Sequence, residues 1–186
     1  MKLHPTLLIS FLFLTSLVVA QEKMPVQGSS EVLVHGTSTL HDWTMNCEQF
    51  NGSVVLTESE GVLTDMSDLQ FTIVVKGMKS GKSAMDNNTY KAMSEPNHPN
   101  VQFESSSIDI QSKGEGYAVK AKGKLTIAGS TREVTLEATG RRSGERWVFS
   151  GKKDIHTPDY GVERVSAMMG TIKTGEDVVI DFDIVF

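Results

Sequence analysis

The sequence predicts a mainly β protein of one domain, in which about eight antiparallel strands form a barrel or a sandwich with one short helical insertion. Polar and apolar residues alternate along most of the chain, which is typical of strands with one buried and one solvated face. The alternating runs are rich in Thr, Val, Ile and Phe, which strands prefer. Short turns that contain Gly separate the runs. A barrel of about eight strands is just wide enough to hold one ligand.

The first element along the chain is an apolar segment typical of a secretory signal peptide. After a basic start, Leu7–Ala20 contains no acidic residue and ends in small residues. It is shorter than the about 20 residues that a transmembrane helix needs. We therefore expect a signal peptide over 1–20, cleaved before Gln21, a polar tail over 21–30 and the barrel domain over 31–186. The mature protein would be periplasmic or secreted, and an uncleaved N-terminal anchor is the alternative.

Strands are indicated wherever apolar residues recur at every second position. The clearest runs are 69–76, 101–106, 117–127, 133–138 and 178–186. Turns are predicted at Asn51-Gly52, Lys113–Gly116, Ala128–Ser130 and Thr174–Glu176. Because these turns are short, consecutive strands are expected to pair as antiparallel hairpins.

Residues 83–93 interrupt the alternation and predict a short helix. Ser83 is a suitable N-cap, with an acidic residue three positions later. Met85, Thr89 and Met93 recur at a spacing of four, so they would share one semi-apolar face. Two prolines then end the helix before the next strand.

Composition excludes several classes of protein. With 39% apolar and 22% charged residues, the chain is expected to be globular. A single cysteine rules out an internal disulfide and any multi-cysteine metal site. A net charge of −5 argues against a nucleic-acid binder.

No reaction chemistry is indicated by the motifs. Ser38, His41 and Asp42 contain the residue types of a catalytic triad, but no nucleophile elbow accompanies them. The histidines lack the spacing of a metal site, and Cys47 is expected to be a buried hydrophobic residue. We therefore expect neither catalytic residues nor a metal.

Four segments, taken together and in order, resemble the YceI family, the lipid- and polyisoprenoid-binding proteins of bacteria. They are the G-T-S-x-x-H-D-W stretch over 36–43, the helix and proline-marked strand over 85–103, the G-x-L-x-x-x-G-x-T hairpin over 123–131, and Asp159-Tyr160-Gly161 with the closing strand over 178–186. The resemblance covers about residues 30 to 186. It implies a lipocalin-like, extended antiparallel barrel that holds a long apolar isoprenoid, an exported protein and no catalysis.

The resemblance also implies which residues line the ligand pocket, although filling of an ordinary core is the alternative for each. The expected ligand-binding residues are Trp43, Phe71, Ile73, Met85, Tyr90, Met93, Phe103, Met168 and Met169. A charged head group would lie at the mouth, near the start of the helix. Lys79 and Lys82 are the candidates for that contact, with a solvated loop as the alternative.

The expected ligand is an isoprenoid, a quinone or another long-chain lipid, with no cofactor and no nucleic acid. A homodimer and a transient contact with a membrane remain open. The sequence leaves two alternative functions. One is an eight-stranded outer-membrane barrel, which is compatible with the signal segment and with the C-terminal Phe186. Such a barrel carries two aromatic girdles, and the chain has too few Tyr and Trp residues to build them. The other is an enzyme acting on a lipid head group, with His41 or His156 as its base.

Overall fold

The structure, a computed structural model, describes residues 20–167 and 169–186. Twelve strands and one α-helix form within them. The strands are β1 Ala20–Pro25, β2 Glu31–Ser38, β3 Trp43–Cys47, β4 Phe50–Ser59, β5 Val62–Val74, β6 Met78–Lys79, β7 Asn100–Lys113, β8 Gly116–Ile127, β9 Ser130–Ser143, β10 Arg146–His156, β11 Ser166–Ala167 and β12 Ile172–Val185. The helix α1 spans Ser83–Ala92, and two short 3₁₀ helices span Val75–Gly77 and Thr157–Tyr160.

Eleven of the strands follow one another in a single curled sheet. Their order is β1-β4-β5-β7-β8-β9-β10-β12-β2-β3-β6, and β11 pairs with β12 beside this path. All the ladders are antiparallel. The mainly β class is confirmed, and the sheet has the form of a half-barrel. The number of strands differs from the expected eight because four short strands, of two to six residues, accompany eight long ones.

The turn between β3 and β4 brings the two ends of the curled sheet towards each other. Glu48 N donates to Gly77 O at 2.8 Å, and Val74 N donates to Gln49 O at 2.9 Å. These bonds join the loop after β3 to the last residue of β5 and to the 3₁₀ helix that follows it. The sheet is therefore tied across at this point by loop hydrogen bonds.

Alternation along the strands decides which side chains face the interior. In β8, Val119, Ala121, Leu125 and Ile127 are buried, while the lysines between them are exposed. Aromatic rings fill the end of the sheet at which the hairpins β7–β8 and β9–β10 turn. Tyr117 contacts Trp147 edge-on, with 5.5 Å between the ring centroids, and Phe149 contacts Phe186 in the same way at 6.0 Å. The interior is thus closed by packed rings at this end.

The predicted helix is confirmed, but its start is organised differently from the prediction. Ser83 is the first helical residue, and the preceding Lys82 takes the N-cap position without a side-chain cap. Asp86 instead reaches back to the loop, where its carboxylate accepts bonds from Ser80 N at 2.8 Å and Ser80 Oγ at 2.6 Å. The loop before α1 is held by this carboxylate because Ser80 provides two donors to one oxygen.

The polar segment after the predicted signal peptide does not form a free tail throughout. Residues Ala20–Pro25 form β1, which pairs with β4 from Ala20–Glu58 to Pro25–Ser53. An open sheet edge supplies unpaired backbone groups, so even a polar segment gains hydrogen bonds by lying beside it. Apart from Ala20, the predicted signal peptide lies outside the described residues.

Candidate functional site

A cavity of about 410 Å³ lies between α1 and the inner face of the half-barrel. The helix contributes Met85 and Thr89 to its wall, and Met93, the C-cap residue directly after the helix, also lines it. The strands contribute apolar side chains from their inward positions, among them Ile73, Val101, Ile127, Ile155 and Val178. The cavity is therefore a largely apolar space covered by a helix.

A second cavity of about 120 Å³ lies deeper, towards the aromatic end of the sheet. Its wall contains five phenylalanines, and otherwise consists of aliphatic side chains and one lysine, Lys153. The phenylalanines are Phe71, Phe103, Phe149, Phe182 and Phe186. We call this space the inner chamber and the larger one the outer chamber. Long apolar molecules fit such spaces because burial removes their surface from water.

The two chambers adjoin each other, and three residues line both. Ile73, Val101 and Ile180 line both of them, from strands β5, β7 and β12. We call these three side chains the waist. Since the same residues face both spaces, the chambers follow one another along the interior.

Polar side chains occur among the residues that line the outer chamber. They are Ser38, His41, Lys82, Asn88, Thr89, Thr157, Tyr160, Glu163 and Thr174. His41, Lys82 and Glu163 are exposed, so they lie where the chamber meets solvent. This mouth combines cationic and anionic groups.

Trp43 is positioned at the outer chamber by a glycine on the neighbouring strand. A Cβ atom on Gly36 would lie 2.1 Å from the Trp43 ring, so only glycine lets the indole lie against β2. The indole Nε1 donates to Thr37 O at 2.9 Å. Part of the G-T-S-x-x-H-D-W stretch therefore serves to seat this ring.

Most of the predicted pocket residues lie in one of the chambers. Trp43, Met85 and Met93 line the outer chamber, Phe71 and Phe103 line the inner one, and Ile73 lies at the waist. Lys82 also lines the outer chamber. The structure thus brings residues from β3, β5, β7 and α1 together around one interior.

Two predicted residues lie elsewhere. Tyr90 and Met169 line neither chamber, and Met169 is fully exposed in the loop before β12. Met168 lies outside the described residues. Spacing in the sequence could not distinguish these positions, because the face that a residue presents depends on what the loop or helix packs against.

Lys79 is engaged by the protein itself. Its Nζ donates to the Tyr90 hydroxyl at 2.7 Å and lies 5.3 Å from the centroid of the same ring. The Tyr90 oxygen is also 3.0 Å from the carbonyl oxygens of Lys76 and Met78. The hydrogen bond that Lys79 donates to Tyr90 raises the pKa of Lys79. This pair joins α1 to β6 and does not face either chamber.

Several residues of the outer chamber escaped the sequence analysis. They include Val34, Leu40, Met45, Met78, Tyr160, Val162 and Val165. Val34 and Met45 follow the alternation of their short strands and could have been found from it. Tyr160 and Val162 lie in or just after a 3₁₀ helix, where no period signals burial.

The groups considered for catalysis are not assembled into a site by the described residues. His156 Nδ1 and Asp177 Oδ1 are 2.8 Å apart on the outer surface, and this contact raises the pKa of His156. His41 Nδ1 lies 2.7 Å from Asp42 O, a backbone atom. Over residues 20–167 and 169–186, no three His, Cys, Asp or Glu side chains are grouped to hold a metal ion. In the same ranges, no helix is long and apolar enough to cross a membrane.

The chain matches the family model of the YceI-like domain over residues 25–186. No curated protein matches the chain. Solved structures share the fold at low sequence identity. Burkholderia cenocepacia BcnA is 21% identical, with a TM-score of 0.67, over 84% of this chain and 96% of that one.

Two further structures have the same architecture. A polyisoprenoid-binding domain from Saccharophagus degradans, implicated in plant cell wall breakdown, is 14% identical with a TM-score of 0.66, over 90% of this chain and 98% of that one. The YceI protein of Campylobacter jejuni is 15% identical with a TM-score of 0.59, over 76% and 82% of the two chains. At these identities the likeness shows the fold.

Proposed function

Because the chain belongs to the YceI-like domain family, we propose that it binds a long apolar lipid inside the half-barrel and carries the lipid without changing it chemically. A polyisoprenoid is the ligand class that one structural relative is named for. Quinones with prenyl tails have the same apolar chain and belong to the same proposal.

The observation that carries the proposal is the pair of chambers that meet at the waist. Together they provide an apolar space longer than either chamber, lined from β5, β7 and β12. Burial of apolar surface contributes about 25 cal/mol per Å², so a chain enclosed there is stabilised without specific chemistry. An interior filled by side chains alone would leave no such space.

The head group of this ligand would lie at the mouth of the outer chamber. Lys82 and His41 supply positive charge or hydrogen-bond donors there, and Glu163 supplies an acceptor. A phosphate or a quinone ring finds suitable partners in this set. Lys79 is not part of the proposed contact because Tyr90 already binds it.

We also propose that the protein works outside the cytoplasm. The support is the apolar segment over 1–20, which has the length and flanks of a signal peptide. A carrier is useful in that compartment because a prenyl chain is insoluble in water and must be covered to move between membranes.

The test is native mass spectrometry of the protein purified from the envelope, followed by organic extraction of its lipid. We expect about one lipid per chain. Val178→Trp, which adds a ring to the outer chamber, should abolish lipid retention. Val179→Trp makes the same change at the next residue of β12, which faces away from the chambers, and should retain the lipid. A wild-type protein that carries no lipid and binds neither added quinones nor polyprenyl phosphates would contradict the proposal.

A further inference from the structure

Lys153 stands on the inner face of β10, among residues that are otherwise apolar or glycine. Inward positions in this strand are every second residue, and the sequence Trp147, Phe149, Gly151, Lys153, Ile155 follows them. Trp147, Phe149 and Ile155 are buried, whereas Lys152 and Asp154, on the opposite face, are exposed. The alternation of β10 therefore directs a lysine towards the interior.

The side chain of Lys153 is part of the wall of the inner chamber. It is the only charged residue among those that line this space, and the others are Val, Met, Leu, Phe, Ile and Ala. Lys153 is half-buried. Its methylenes can face the chamber while its ammonium reaches water, as lysine side chains commonly do at apolar surfaces.

Strands β9 and β10 of the half-barrel separate beside Lys153. The ladder between β9 and β10 ends at the pair Glu137–Lys152, although both strands continue beyond it. Beyond the split, the 3₁₀ helix over Thr157–Tyr160 lies against β9, and Arg132 Nε donates to Asp159 O at 2.9 Å. Leu136 and Lys153, both lining the inner chamber, therefore stand where the two strands separate.

Lys153 has no ion pair or side-chain hydrogen bond within the part of the chain that the structure describes. The nearby acid, Glu137, is bound to Lys120 Nζ at 2.9 Å. That hydrogen bond is the main cause of the lowered pKa of Glu137, and Lys153 adds a weaker attraction. The neighbouring Lys152 is paired with Asp181 at 2.7 Å. Among these lysines, Lys153 is the one whose charge is left for a ligand.

We propose that the split between β9 and β10 is a second ligand site, in which Lys153 binds the carboxylate of a single-chain fatty acid whose tail enters the inner chamber. A single ammonium matches a single negative charge, and the apolar wall matches an alkyl chain. The inference rests on the proposed function, because both require that the interior accept a long chain. It differs in placing an anionic head at the side wall, away from the mouth.

The test compares two ligands of equal chain length, dodecanoate and dodecanol, titrated into the delipidated protein by isothermal calorimetry below their aggregation concentrations. We expect the wild type to bind dodecanoate more tightly than dodecanol. Lys153→Met keeps an unbranched side chain in the apolar wall, so the fold should persist. It should weaken dodecanoate binding about tenfold and leave dodecanol binding unchanged.

Lys152→Met is the matched control, because it removes the same charge from the next residue on the outer face. It should leave both affinities unchanged. If Lys153→Met weakens neither ligand, or both equally, the carboxylate site is wrong while chain binding by the interior stands. If the wild type binds neither ligand, nor any polyprenyl or quinone probe, the proposed function fails together with the inference.

Discussion

At the scale of single residues, burial and hydrogen bonding shift the pKa values of side chains that have a structural role. Cys47 is buried, and desolvation raises the pKa of its thiol to about 12. The thiolate, which is the reactive form, is therefore suppressed near neutral pH. This residue behaves as part of the core, as its surroundings in β3 require.

Glu58 provides a second example, at the aromatic end of the sheet. Its carboxylate accepts bonds from Trp147 Nε1 and Arg142 Nη1, both at 2.6 Å. The hydrogen bond from Trp147 is the main cause of a pKa lowered from the usual 4.5. Folding thus favours the charged form of Glu58. The Glu58 carboxylate also provides the acceptor for the indole N–H of Trp147, whose ring is buried.

The lowered pKa of Glu58 predicts a dependence of stability on pH. A carboxyl whose pKa is lower in the folded state contributes stability above its unfolded value and loses it as pH falls through the folded value. The free energy of unfolding should therefore decline below pH 4.5, and Glu58→Gln should reduce the decline. Urea denaturation at a series of pH values measures both slopes. Identical slopes in the two proteins would contradict the assignment, and Glu60→Gln, in the exposed turn nearby, is the control.

At the scale of elements, α1 is held over the outer chamber by polar contacts to the loop before it and to β6. Asp86 binds Ser80 in the preceding loop, and Tyr90 binds Lys79 in β6. Met85 and Met93 meanwhile face the outer chamber. The same short helix thus covers the cavity and is tied to the sheet through polar side chains.

Removing the tether at the start of α1 should loosen this cover. Asp86→Ala leaves Ser80 N without its acceptor, so we expect a loss of about 1–3 kcal/mol in the free energy of unfolding. Dissociation of a bound lipid should also become faster. Urea denaturation and stopped-flow displacement measure the two effects. The exposed neighbour Asn87→Ala should change stability by less than about 0.5 kcal/mol. Equal effects of the two substitutions would show that the Asp86 tether does not hold the helix.

At the scale of the whole molecule, eight long strands curl around more space than their inward side chains fill. The outer chamber measures about 410 Å³ and the inner one about 120 Å³. Empty cavities of this kind forgo packing contacts, so they cost stability when they are left unfilled. A bound chain that fills them is expected to stabilise the fold through linkage.

The waist predicts discrimination by chain length. Ile180→Phe enlarges a side chain that borders both chambers, so a chain that spans them would be hindered more than one that stays in the outer chamber. We expect the affinity for geranylgeraniol to fall about tenfold and that for geraniol to change little. Displacement of a fluorescent lipid measures both affinities. Val179→Phe, on the other face of β12, is the control. A uniform loss for the two alcohols would mean that the chambers are not occupied in sequence.

A good part of the fold and some of the site could be predicted from residue order alone. Alternation placed Ile73, Phe71 and Phe103 on inward faces, because strand geometry assigns successive side chains to opposite sides. The helix over 83–93 was found from its spacing and its prolines. The strand β1 was missed because its sequence is polar, and its hydrogen bonds come from the open edge of β4.

The sequence by itself therefore determined which side chains of the long strands face inwards, the turns at Lys113–Gly116 and Ala128–Ser130, and that one helix interrupts the strands, since these follow from local geometry. The turns predicted at Asn51-Gly52 and Thr174–Glu176 were wrong, because these residues lie inside β4 and β12, the latter at an irregularity of the ladder to β2. Tertiary structure alone decided that Tyr90 binds Lys79 instead of a ligand and that β9 separates from β10 beside Lys153. It also decided that Ile73, Val101 and Ile180 meet at one waist. These arrangements depend on how distant strands curl and pair, and no local period carries that information.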